Sequence, residues 1–180
     1  QVREAYYMAR ETGFSNINMD IITGLPGEDI SHIEGTMQQL RQMEPESLTV
    51  HSLAIKRAAF LNIEMERYRS LVKGSTNDML RLVDESCRDM GMEAYYMYRQ
   101  KNIPGNLENI GYSLPGRECL YNILIMEEIQ DIISCGAGGS TKYVYPAENR
   151  IERTENVKNI DHYINRIDEM IEKKRSMLNQ

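Results

Sequence analysis

Cysteine is scarce in this 180-residue chain: Cys87, Cys119 and Cys135 are widely spaced, and none forms the close pairs from which metal sites and redox motifs are built. They read as reduced thiols in mostly core positions, where free cysteine is commonly found. Histidine is equally sparse. His32, His51 and His162 have no paired ligand spacing, and no Ser-His-Asp arrangement can be drawn from the order of residues. No run of about 18 apolar residues occurs, so no membrane span is expected. The opening Gln1-Val2-Arg3-Glu4-Ala5 lacks the charged-then-apolar plan of a secretory leader, which leaves a soluble cytoplasmic protein as the expectation. Without an initial Met, the chain opens inside what reads as an amphipathic helix, with Val2, Ala5, Tyr6 and Ala9 on one face, so it is expected to be a piece of a longer protein. Internal repeats and low-complexity tracts are not found.

Charged residues make up 27% and the net charge is -6, a balance that suggests neither charge-driven disorder nor a nucleic-acid-seeking surface. A hydrophobic content of 41% is enough for one ordinary domain, or for part of a larger one.

Asn16 to Thr23 is a short apolar run suited to a buried parallel strand, and Gly24-Leu25-Pro26-Gly27 makes a turn after it. Ile30, Ile33, Met37, Leu40 and Met43 then recur at helical spacing behind a cap at Asp29 or Ser31. Pro45 and Glu46 end that helix, and Leu48 to Ala54 reads as a second strand, completing a βαβ unit. Two further helical stripes follow, Leu61, Met65, Tyr68 and Val72, then Leu80, Val83, Cys87 and Met90 ending at Gly91; Ser75 or Thr76 can cap the second. Tyr95 to Tyr98 is strand-like, and residues 101–116 read as a long Gly/Pro/Asn-rich loop. Beyond it lie strand candidates Asp131 to Cys135 and Tyr143 to Tyr145. The chain closes on a helix with Ile160, Tyr163, Ile164, Ile167, Met170 and Ile171 on one face, where Lys173, Lys174 and Arg175 complement the helix dipole.

Asp20 near the end of a strand, ahead of a turn and a helix N-terminus, occupies the kind of position where α/β folds gather ligands. It can accept hydrogen bonds from a ribose; spacing alone fits a loop or capping role equally. Gly136-x-Gly138-Gly139 allows close backbone approach to a cofactor, but it is not a full dinucleotide fingerprint. Tyr95, Tyr96, Tyr98, Arg99 and Lys101 mix rings with cations, suited to a flat or carboxylate-bearing ligand, or simply to a strand with a solvated edge. His51 either faces a pocket or is a satisfied structural histidine.

Asn18-Met19-Asp20-Ile21-Ile22-Thr23-Gly24-Leu25-Pro26-Gly27-Glu28 resembles the strand-and-turn signature of the oxygen-independent coproporphyrinogen III oxidase family, radical S-adenosylmethionine enzymes. Tyr95 through Tyr112 is similar to one branch of it, the coproporphyrinogen dehydrogenase-like proteins, and Cys135-Gly136-Ala137-Gly138-Gly139 is similar to the family's glycine-rich strand end. The resemblance covers essentially the whole chain. It implies an α/β fold: the C-terminal part of a partial (β/α)6 barrel over residues 1–74, then an α+β extension over 75–180. It also implies S-adenosylmethionine and a 4Fe–4S cluster in the intact protein, generation of a 5′-deoxyadenosyl radical, and oxidative decarboxylation of coproporphyrinogen III to protoporphyrinogen IX in haem biosynthesis. Asp20, Ala54 and Ser140 fall on positions that line the S-adenosylmethionine site.

The family's cluster ligands, spaced Cys-x3-Cys-x2-Cys, do not occur here. The isolated chain is therefore expected to hold no cluster, no metal and no bound cofactor, to contain no catalytic residue and to be inert. Expected partners of the intact protein are a porphyrinogen or haem and an electron donor, with no nucleic acid. A haem-binding chaperone of the same superfamily, or a radical enzyme with another substrate, is the alternative. Half a barrel exposes strand edges, so self-association is expected as well.

Overall fold

The computed structural model describes residues 1–53, 75–98 and 107–178. The stripe Leu61, Met65, Tyr68 and Val72, the link Lys73-Gly74, the site candidate Ala54, and Arg99 and Lys101 lie outside the described residues. Two compact units form, Gln1–Cys119 and Leu120–Gln180.

The first unit contains α1 (Val2–Glu11), β1 (Asn18–Thr23), α2 (Ile30–Met43), β2 (Ser47–Ser52), α3 (Thr76–Asp89), β3 (Glu93–Tyr98) and β4 (Asn109–Ser113). Its four-stranded sheet has the order β1-β2-β4-β3. β1 and β2 run parallel, aligning Asp20 with Thr49 and Ile22 with His51, while β2–β4 and β4–β3 are antiparallel. The βαβ reading of the first 52 residues thus matches the structure. α3, β3 and β4 build onto this same sheet and its core, all within the unit Gln1–Cys119.

Side chains alternate between sheet faces, and one face carries the apolar set. Ile21, Leu48, Val50 and Tyr112 pack with Ile33, Met37 and Leu40 of α2 and Met79, Val83 and Cys87 of α3. Each of these helices begins at a cap: Asp29 accepts from the Ser31 amide, and Ser75 from the Asp78 amide. Hydrogen bonds from Ser31 and then His32 hold the Asp29 carboxyl down at about 2. At the other end of the sheet, Tyr6 donates to the Met43 carbonyl at 2.6 Å, and Arg10 ties Tyr6 to Glu46.

Two expectations for this unit change. β1 is not a strand buried on both sides; Asn18, Asp20 and Ile22 are exposed while Ile21 and Thr23 are buried, because α2 and α3 cover one face only. The long loop read over 101–116 contains β4, whose period-two pattern is hard to see because its central residue, Gly111, carries no side chain.

The second unit contains α4 (Leu120–Glu127), β5 (Ser140–Tyr145), β6 (Arg150–Glu155), α5 (Ile160–Asn165) and α6 (Ile167–Leu178). β5 and β6 form an antiparallel hairpin. Residues 131–135 make only an isolated bridge, Ile132 to Lys142, because side chains replace the ladder: Asp131 accepts from the Val144 amide at 2.7 Å and Thr141 Oγ1 from the Ser134 amide at 3.1 Å. The closing helix is interrupted at Arg166, whose φ of -120° and ψ of 28° leave the helical region. α4 is apolar without period, and β6 is mostly charged and held by pairing. Neither offered a pattern to read. Among the described residues no helix is long and apolar enough to cross a membrane.

Candidate ligand-binding site

The sheet face turned away from α2 and α3 is polar. Strand alternation puts Asn18 and Asp20 of β1, Thr49 and His51 of β2, Gly111 of β4, and Tyr96 and Tyr98 of β3 on this face. Asp20 lies at its edge with a side chain 62% exposed. Its Oδ1 accepts from Asn18 Nδ2 at 2.7 Å, and its Oδ2 stands 3.6 Å from His51 Nε2, beyond a hydrogen bond but within ion-pair reach. Among the described residues it forms no ion pair with Lys or Arg.

Behind each of these contacts a second group follows. His51 Nδ1 is 3.2 Å from the Tyr98 hydroxyl. Thr49 Oγ1 donates to Asn18 Oδ1 at 3.2 Å, and Thr49 also acts on the Tyr96 phenol, favouring its ionised form. The Tyr96 and Tyr98 rings lie parallel, with centroids 6.2 Å apart. Burial, then the negative charge of Asp20, pushes the Tyr98 phenol up, and burial pushes Tyr96 up despite the effect of Thr49, so both are proton donors at neutral pH. At the end of β2, buried Asn109 accepts from the Ser52 amide at 2.8 Å.

Of the site residues expected from sequence, Asp20 and His51 come together here with Tyr96 and Tyr98. Ser140 belongs to the second unit, where its hydroxyl donates to Glu155 at 2.7 Å. The glycine-rich loop of that unit is closed on itself: the Gly136 amide donates to the Tyr163 hydroxyl, that of Gly138 to the Val157 carbonyl and that of Gly139 to the Gly136 carbonyl. Asn156, held by Lys174 at 2.6 Å, donates to the Gly136 carbonyl. These amides already have partners, so the loop as folded offers them to no phosphate.

Sequence reasoning passed over Asn18, Thr49 and Gly111. The available signal was alternation within β1 and β2: once Ile21 and Val50 are assigned to the core, Asp20, Thr49 and His51 must share the opposite face.

Over 177 residues, 98% of the chain, the sequence is 40% identical to the oxygen-independent coproporphyrinogen-III oxidase-like protein HemZ of Bacillus subtilis (strain 168). The chain belongs to this oxidase-like family. It spans 35% of that relative's length. A stretch of 60 residues, 33% of the chain, is 33% identical to the heme chaperone HemW of the same organism and covers 16% of it. The fold is similar to that of the Escherichia coli coproporphyrinogen III oxidase HemN, a radical SAM enzyme: the TM-score is 0.61 at 15% identity, covering 93% of this chain and 37% of that one. No family model matches.

The resemblance read from the sequence implies two groups for the intact protein, S-adenosylmethionine and an iron–sulfur cluster. The exposed carboxylate of Asp20, which pairs with no Lys or Arg among the described residues, fits a ligand that offers hydroxyl donors. The thiols do not fit a cluster. Cys87 is fully buried in the core, its thiol pushed up to about 12 by burial and by the charge of Asp84, and among the described residues no three His, Cys, Asp or Glu converge.

Proposed function

We propose that this chain contributes the S-adenosylmethionine-facing wall of a radical enzyme that oxidatively decarboxylates coproporphyrinogen III. The observation that carries the reading is Asp20: a carboxylate on the uncovered polar face of a parallel strand pair, partnered by a neutral amide and a histidine and free to accept from two vicinal ribose hydroxyls. Bound S-adenosylmethionine, with a cluster held by residues outside this chain, supplies the hydrogen-abstracting chemistry.

This chain's part is binding and orientation. Asp20 fixes the ribose, and the helix-covered opposite face makes the wall rigid. Ala54 and Ser140 are proposed as further contacts; Ser140 would have to exchange its bond to Glu155. Residues 1–74 are proposed as barrel and 75–180 as extension, in a cytoplasmic protein served by an electron donor. The outer edge of β1 is proposed as a surface for self-association of the isolated chain, which light scattering after size exclusion tests by mass.

The full-length protein, reconstituted anaerobically with iron and sulfide, is expected to convert coproporphyrinogen III to a vinyl product only with S-adenosylmethionine and a reductant. Cleavage of S-adenosylmethionine with the porphyrinogen untouched would overturn the substrate assignment. The likeness to a heme chaperone supports a second reading, haem handling, which predicts one haem bound per protein and no vinyl product.

A further inference from the structure

Two chains of polar contacts run toward the same carboxylate. One goes from the Tyr98 hydroxyl to His51 Nδ1 at 3.2 Å, with His51 Nε2 at 3.6 Å from Asp20 Oδ2, within ion-pair reach. The other is hydrogen-bonded throughout, from Thr49 Oγ1 to Asn18 Oδ1 and from Asn18 Nδ2 to Asp20 Oδ1. The first starts on β3 and the second on β2, and both finish on β1 at the edge of the sheet.

The donor directions agree. The His51 tautomer that accepts from the Tyr98 hydroxyl at Nδ1 carries its ring proton on Nε2, facing the carboxylate. Thr49 gives its proton to Asn18, and the Asn18 amide in turn donates to Asp20. In that arrangement a donor faces each carboxylate oxygen.

We propose that Tyr98 with His51, and Thr49 with Asn18, are positioning residues that hold the Asp20 carboxylate at both oxygens, so that its outer edge meets a vicinal diol without further ordering. An exposed aspartate otherwise spreads over several rotamers, and fixing it beforehand removes that entropy cost from binding. The identity of the diol as the ribose of S-adenosylmethionine rests on the function proposed above; the relays themselves rest on geometry.

The test uses the full-length protein and S-adenosylhomocysteine, followed by equilibrium dialysis. Tyr98→Phe is expected to weaken binding about three- to tenfold, the size of one lost hydrogen bond. In an Asp20→Asn background the same change is expected to have no effect. Selective 15N-histidine NMR gives a readout independent of affinity: His51 should carry its proton on Nε2, and Tyr98→Phe should shift the tautomer balance. A wild-type His51 protonated on Nδ1, or a Tyr98→Phe loss that persists undiminished in the Asp20→Asn background, overturns the relay. Wild-type affinity in Asp20→Asn itself overturns the ribose reading and leaves the tautomer result to judge the relay alone.

Discussion

The Tyr96 ring lies over Gly111, its cross-strand partner, filling the space that a side chain there would occupy. Gly111→Ala puts a methyl group into the ring's place. The expected loss is about 1–3 kcal/mol, the usual range for overpacking, read from urea unfolding. Removing the ring in Tyr96→Ala/Gly111→Ala should recover most of the alanine penalty relative to Tyr96→Ala alone. Additive losses would mean that the ring is not what excludes the side chain.

Arg10 and Glu46 make a 2.6 Å ion pair that fastens α1 beside the start of β2. Burial acts to raise the Glu46 carboxyl, but hydrogen bonds from Arg10 and the Ile17 amide, with the Arg10 charge, leave it below the ordinary value. A carboxyl lowered in the folded state stabilises fully above its unfolded pKa, about 4.3, and that contribution disappears as pH falls through the folded value. Glu46→Gln is expected to cost about 1–3 kcal/mol at pH 7 and to converge with wild type once the pH has fallen through the lowered Glu46 value. Urea titrations at several pH values check this; a pH-independent gap would contradict it.

The cysteines should separate by reactivity. Cys135 is exposed and Cys119 half-buried, whereas Cys87 is sealed in the core with its thiol pushed up to about 12. Iodoacetamide at pH 8 is expected to modify Cys135 first and Cys87 only after denaturation, as mass spectrometry of peptides would report. Early labelling of Cys87 would mean that α3 opens from the sheet.

The first unit was legible where periodicity and end signals agreed. Ile30 to Met43 behind Asp29, and Leu80 to Cys87 behind Ser75, form helices as their spacing requires, because an apolar stripe and a cap point the same way. β4 was hidden by Gly111, a residue whose value lies in a contact with a strand elsewhere in the sequence. Residues 131–135 look like a strand by composition, yet Asp131 and Thr141 take the amides that a ladder would have used. Asp20 could be singled out from its place near the end of a strand. Its partners could not, since Tyr98 meets His51 only through a sheet order in which β4 lies between β2 and β3.

The central claim is that Asp20 receives a ribose, and its most direct test is the affinity of the full-length protein for S-adenosylmethionine, measured by calorimetry for wild type and Asp20→Asn. Loss of a charged acceptor to two hydroxyls should weaken binding about ten- to a hundredfold, with the melting temperature of the unliganded protein little changed because the side chain is exposed. Equal affinities in the two proteins would contradict the account.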